Sequence, residues 1–183
     1  MVAKAAARNI AHKSDHGGVR LGLADEVDVR AAFRDMTGRL GRLMEGILIQ
    51  AQETGMAELI LGALWDTAFG PFVLVGSGGI FAELFEDTSL APAPVTREGA
   101  VALLEELKIW PVLQGARGRA KTDVAAAIDA VVAIGWLAAE LGPQLLELDI
   151  NPLILRAEGK GAIAVDARAR LEAQGDSDER RKI

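Results

Sequence analysis

One tight turn near the end of the chain constrains the fold more than any other feature. Glu158-Gly159, flanked by Ala157 and Lys160, separates two apolar-rich runs, residues 145–155 and 162–166. A two-residue loop with glycine where φ must be positive marks a β-hairpin, and a hairpin turn sets the register of both strands. Counting outward, Asn151 falls directly opposite Asp166, in a pairing that holds Cβ atoms roughly 4.5–5.5 Å apart. The strand period then puts Glu147 and Asp149 on the face of Asn151. An amide oxygen beside a carboxylate supplies the hard donors that Mg²⁺ accepts alongside substrate phosphates. The solvated polar face of an edge hairpin has the same spacing. Pro152, which drives Asn151 to an extended conformation, fits both.

The remaining elements read in order from the first residue. Residues 1–5 and 19–23 are short strands joined by a polar loop. Asp25 caps a helix to about Leu43, with Val29, Phe33, Met36 and Leu40 facing inward. Residues 47–51 read as a short buried strand, and a turn at 53–55 pairs it hairpin-fashion with residues 57–64. A turn at 65–71 leads to a third strand, 72–75, then Gly76-Ser-Gly-Gly79 and a further apolar stretch, 80–85. Ala91-Pro-Ala-Pro94 is a stiff connector. Thr96 caps a helix to about Leu107, with Ala100, Leu103, Leu104 and Leu107 facing in. Thr122 caps the longest helix, where Val124, Ile128, Val131, Val132 and Gly135 keep the helical period until Gly142-Pro143 stops it. This order predicts an α+β domain over residues 1–172 with largely antiparallel hairpins, and not the regular βαβ alternation of a dinucleotide fold. Residues 173–183 are polar and expected to be disordered.

The polar loop after the first strand holds both histidines, His12 and His16, with Lys13, Gly17 and Gly18. A neutral imidazole can attack phosphorus, Lys13 can stabilise the added charge, and the glycines let backbone N–H groups approach a phosphate. Ordinary loop histidines account for the same residues. A zinc site from this pair needs further ligands, and the chain has no cysteine to provide them. Elsewhere, Lys4 is a charge inside an apolar strand and wants an anionic partner, either a phosphate or a carboxylate. Gly76-Ser-Gly-Gly79 lacks the P-loop and dinucleotide-turn patterns, so a structural bulge competes with a phosphate loop. Arg117 and Arg119 in a glycine loop either take an anion or are solvated.

Composition narrows the classes. The 183 residues are 50% apolar with a formal charge of −6, enough for a real core and unsuited to broad attraction toward nucleic acid or anionic membrane. With no cysteine, disulfides and thiolate metal sites are excluded. The apolar runs read as too short and too charged to span a bilayer, and the first residues lack the signal-peptide pattern. The expected setting is cytoplasmic.

Taken together the pieces resemble the ATP-grasp domain of the ADP-forming acyl-CoA synthetases (acetate–CoA ligase type), relatives of succinyl-CoA synthetase. The match rests on Val2-Ala-Lys4, His12-Lys-Ser-Asp15 with Gly17-Gly-Val19, Ile47-Leu-Ile-Gln50 and Glu58-Leu-Ile60. It continues through Asp66 with Phe69-Gly-Pro71, Gly78-Gly79 with Glu83, Gly115-Ala-Arg-Gly118, Glu147-Leu-Asp-Ile-Asn-Pro152 and Val165-Asp-Ala-Arg168. These motifs run in the family's order over nearly the whole chain.

The resemblance implies interconversion of acyl-CoA, ADP and phosphate with acid, CoA and ATP, with phosphate carried on histidine. By similarity His12 is the relay histidine, Lys4 touches nucleotide phosphates, Gln50 and Gln52 receive adenine, and Glu58 meets the ribose. Asn151 and Asp166 match the magnesium-holding pair, and Asp149 the carboxylate that orients the phosphohistidine. Gly78, Gly79 and Arg117 are further nucleotide-site matches. The family's ATP-grasp domain has a segment before the strand of Lys4, so an N-terminally incomplete fold is expected, and an exposed sheet edge there is a route to a homo-oligomer. CoA would bind only on CoA-binding and ligase domains or a partner subunit, and the chain alone is expected not to turn over. A regulatory, non-catalytic ATP-grasp domain, as in lysine acetyltransferase fusions, is the alternative. Such domains tend to lose the histidine that this chain keeps.

Overall fold

The computed structural model describes residues 1–7, 16–79 and 86–172. The chain divides into two compact units, Met1–Glu53 and Thr54–Ile183.

In the first unit, strand β1 (Val2–Ala7) lies between β2 (Val19–Arg20) and β3 (Met44–Gln50), both antiparallel to it. Helix α1 (Glu26–Leu40) begins at Asp25, whose carboxylate accepts the N–H groups of Val27 and Asp28 at 2.9 and 3.0 Å, as expected for an N-cap. Ala3 and Ala5 on β1 are small enough for Ala32, Met36 and Leu40 to close on them, with Leu23, into a buried cluster. Phe33, expected inside, is 44% exposed, because Ala32 takes the inward position on that turn. Nor is β3 a buried strand: Leu48 is 53% exposed. The expected hairpin of β3 with the next strand does not form, since β3 runs beside β1 instead.

The second unit is built on a larger sheet. Strand β4 (Ala57–Asp66) turns at residues 67–69 into β5 (Gly70–Ser77), the turn tied by the Asp66 carboxylate to the N–H groups of Ala68 and Phe69. Residues expected as a stiff connector are partly a strand, β6 (Thr88–Pro92), paired with β5. Proline is tolerated there because β6 lies at the sheet edge. Helix α2 (Arg97–Glu105) is capped by Thr96, and the short helix α3 (Trp110–Leu113) follows. Helix α4 (Val124–Leu141) is capped by Asp123 and not Thr122. The Thr122 hydroxyl donates instead to the Leu113 carbonyl at 3.1 Å.

The sheet closes with β7 (Leu145–Leu155), β8 (Ala162–Ala164) and β9 (Ala167–Leu171). Its order is β6-β5-β4-β7-β8, with β9 also on β7. Leu59, Leu61, Val73 and Val75 on one face meet Ala100, Leu103, Leu104, Ala127, Ile128 and Val131 of α2 and α4. The segment Val124–Gln144 is, contrary to the reading of the apolar runs, long and apolar enough by length and composition to cross a membrane. One face of it packs on the sheet, with Ala127, Ile128, Val131, Gly135 and Ala138 buried, while Trp136 and Leu137 on the rest of the helix are exposed.

Candidate functional site

The C-terminal hairpin has the register derived from its turn. Lys160 N–H donates to the Ala157 carbonyl at 2.9 Å, and Gly159 has φ +73°. Leu155 pairs with Ala162 and Leu153 with Ala164. Asn151 donates its backbone N–H to the Asp166 carbonyl at 3.1 Å, so these two residues are opposite. The register continues into β9, a strand not anticipated, with Asp149 opposite Arg168 and Glu147 opposite Arg170.

The other edge of β7 is irregular at this point. Leu59 of β4 pairs with Leu153 and Leu61 with Ile150, so Asn151 and Pro152 together stand against Ile60. This is a bulge, a device that re-aims a side chain and is frequent beside active sites. It interrupts the alternation expected from Asp149 to Asn151. Pro152 was the signal for it, since proline within a sheet favours bulges and edges. Asn151 and Asp166 are both exposed.

Directly opposed residues share a sheet face. Glu147, Asp149, Arg168 and Arg170 therefore lie with Gly62 and Leu64 on the face away from the Leu59–Leu61 core. Burial pushes the Asp149 carboxyl above its ordinary range, and the nearby charges of Glu147 and Asp166 add to this while Arg168 opposes it. Glu147 and Asp149 are thus half-buried neighbours on this face, the charge of Asp166 reaches Asp149, and Asn151 stands across the ladder from Asp166 at the exposed end. Among the described residues, no group of three or more His, Cys, Asp or Glu side chains could hold a metal by itself. The all-oxygen donor set fits Mg²⁺ shared with phosphate oxygens.

Glu58 and the glycine pair are brought together in the same unit. Gly78 N–H donates to the Glu58 carbonyl at 2.8 Å. A Cβ on Gly78 would sit 2.8 Å from the Glu58 carbonyl carbon, and one on Gly79 3.1 Å from Glu58 Oε2. Glycine is required for this approach. The loop is anchored from behind by Asp87, which is buried. Its carbonyl accepts from Ser77 N–H at 2.9 Å, and its carboxylate accepts from the Ser77 hydroxyl and from the N–H groups of Lys108 and Ile109. Burial raises its pKa, but these donors outweigh it and hold the carboxyl below its usual range. Arg117 lies in a 3₁₀ turn, Ala116–Gly118, entered through Gly115 at φ +84°.

In the first unit, Lys4 pairs with Leu48 and Val2 with Gln50. Lys4 and Gln50 therefore share the face opposite Ala3 and Ala5, whose side is covered by α1. Gln52 Oε1 accepts the N–H of Gly22 at 2.7 Å, which ties the segment after β3 to the one after β2. His12 and Lys13 lie outside the described residues.

A family profile described as an ATP-grasp domain matches residues 1–171, and the chain belongs to that family. The fold is the ATP-grasp fold, with antiparallel sheets and helices. Among curated relatives, the chain is 39% identical over 173 residues to the acetate–CoA ligase [ADP-forming] I subunit beta of Pyrococcus furiosus, covering 92% of this chain and 73% of that one. It is 32% identical to the 4-hydroxybutyrate–CoA ligase [ADP-forming] of Nitrosopumilus maritimus, covering 93% of this chain but 25% of that one.

Among solved structures it resembles acetyl-coenzyme A synthetase 1 of Ca. Korarchaeum cryptofilum, described as dinucleotide forming, in complex with coenzyme A and Ca-AMPCP. That match has TM-score 0.85 at 38% identity and covers 93% of this chain and 76% of that one. A second structure of that synthetase holds Mg-AMPPCP, with its phosphohistidine segment pointing towards the nucleotide binding site. Here the TM-score is 0.80 at 35% identity, covering 94% and 76%.

Proposed function

We propose that this chain is the nucleotide-handling part of an ADP-forming acyl-CoA synthetase, carrying phosphate on His12 between ATP or ADP and an acyl-CoA site on another domain or subunit. The observation that carries the reading is the β7–β9 hairpin, whose register places Asn151 against Asp166 with Asp149 nearby. Support comes from its relatives, which are ADP-forming ligases and a synthetase with a phosphohistidine segment. They favour the ligase reading over the regulatory one. The chain spans 73% of the first beta subunit and 25% of the longer ligase, so the CoA-binding and ligase parts are assigned to other segments or chains.

In this reading Lys4 meets the nucleotide phosphates, Gln50 and Gln52 the adenine, and Glu58 the ribose, with Gly78 and Gly79 keeping the approach open. Arg117 is a further anion contact. Asn151 and Asp166 would hold Mg²⁺, which would neutralise phosphate charge there. A ring nitrogen of neutral His12 attacks the γ-phosphorus. The N–P bond forms as the P–O bond to the β-phosphate breaks, its electron pair leaving on ADP. The second ring nitrogen keeps its proton, and orienting the phosphohistidine is the part that the resemblance gives Asp149.

The test is labelling with γ-³²P-ATP and Mg²⁺. The expected product is acid-labile, base-stable phosphoprotein, absent from His12→Ala. Undiminished label in His12→Ala refutes the relay.

A further inference from the structure

Strand β9 puts two arginines on the carboxylate face, and their surroundings differ. Arg170 sits opposite Glu147 and its Nε lies 3.4 Å from Glu147 Oε2, an ion pair. Arg168 sits opposite Asp149, close enough for its charge to act on that carboxylate. It forms no ion pair or hydrogen bond of its own side chain among the described residues. It is exposed, two residues from Asp166 along the strand direction.

The patch needs such a group. Glu147, Asp149 and Asp166 bring like charge to the place where a phosphoryl group is to be handled, and Arg170 is committed to the first of them. A guanidinium offers a planar fork of donors that matches phosphate oxygens and stays charged throughout.

We propose that Arg168 is a catalytic residue of the phosphoryl transfer, gripping the non-bridging oxygens of the phosphoryl group in transit. The inference rests on the nucleotide-site reading above and adds a residue to it. The bond changes are those already described: N–P forms, P–O to ADP breaks, and the electron pair leaves with ADP. Arg168 donates N–H hydrogen bonds from its fork to two of the three oxygens on which charge is spread and transfers no proton.

The test uses the full chain in single-turnover labelling with γ-³²P-ATP and Mg²⁺, beside ATP affinity from calorimetry. Removing a donor aimed at transition-state charge slows the step on the order of 10²-fold, so Arg168→Gln should label that much more slowly. Its ATP affinity should stay within about three-fold of wild type, the split expected for an interaction made in the transition state. Arg168→Lys should recover part of the rate as a point charge. Arg170→Gln, which loses only the ion pair with Glu147, should label like wild type. A wild-type rate in Arg168→Gln, or an equal loss in Arg170→Gln, overturns the role of Arg168 and leaves the nucleotide site standing. Absence of label from the wild-type chain overturns the reading on which it rests.

Discussion

Alanine at Gly78 should be far more damaging than its single methyl suggests. The new Cβ would lie 2.8 Å from the Glu58 carbonyl carbon, 2.9 Å from its oxygen and 3.0 Å from its Cβ. Two of these are backbone atoms of a strand paired to neighbours, so no flexible side chain can yield. The loop must move out, which lengthens the 2.8 Å hydrogen bond from Gly78 N–H to the Glu58 carbonyl. Losing that bond costs about 1 kcal/mol and the steric displacement about 1–3 kcal/mol, together roughly 2–4 kcal/mol. At about 2–4 °C per kcal/mol for a chain of this size, the melting temperature falls by roughly 4–16 °C. Gly38 is the matched control. It lies within α1, its Cβ would meet nothing within 4 Å, and alanine there gains about 0.5–1 kcal/mol of helix propensity. Calorimetric melting of both variants, with and without ATP, checks the argument. Gly78→Ala should also bind ATP more weakly, because Glu58 and Gly79 move with the loop. A Gly78→Ala that melts with wild type, or a Gly38→Ala that melts below it, refutes the steric reasoning.

Acid should expose the two clamped carboxylates. N–H groups of Gly161 and Ala126 lower the Asp123 pKa, and the Ser77 hydroxyl with the N–H groups of Lys108 and Ile109 overcome burial to lower that of Asp87. A folded pKa below the unfolded one gives stability that is full above the unfolded pKa and lost as pH falls through the folded one. Melting temperature should therefore decline below the ordinary carboxylate range, and less steeply in Asp87→Asn or Asp123→Asn, which start lower. Asp149 has the opposite sign: its raised pKa, from burial and then Glu147, means ionisation opposes folding at neutral pH. Asp149→Asn should melt slightly higher at pH 7 while phosphohistidine formation slows, a pairing that calorimetry and labelling would show together.

The parts of this chain legible in advance are those specified by local geometry. The Glu158-Gly159 turn set a register that holds as far as Glu147 opposite Arg170, because each pair follows from the previous one by counting. Asp25 and Thr96 were legible as caps because a short acceptor before an apolar-periodic run has few other uses. What failed depended on distant partners. The pairing of β3 with β1, across most of the first unit, has no local mark to set it against a hairpin with β4. Thr122 and Asp123 are both good caps, and the choice was made by the Leu113 carbonyl, nine residues away. Strand β6 was hidden by Pro92 at its end and Pro94 just beyond, which an edge tolerates. At the candidate site, Asn151, Asp166, Glu58 and the Gly78-Gly79 pair were each identifiable. The contact of Gly79 with Glu58 was not, since β4 and β5 must first pair. Arg168 was visible only as a motif residue, and its position opposite Asp149 required recognising β9.

The continuous ladder of β7 with β8 and β9 makes residue count a heritable constraint in its own right. Deleting one residue between Glu147 and the turn would rotate Asp149 and its neighbours into the space held by Leu148 and Ile150, and the apolar residues outward. No chemical conservatism in the remaining side chains could compensate. Related chains should therefore vary freely in what occupies the outward positions of this hairpin, yet gain or lose residues only at its tip.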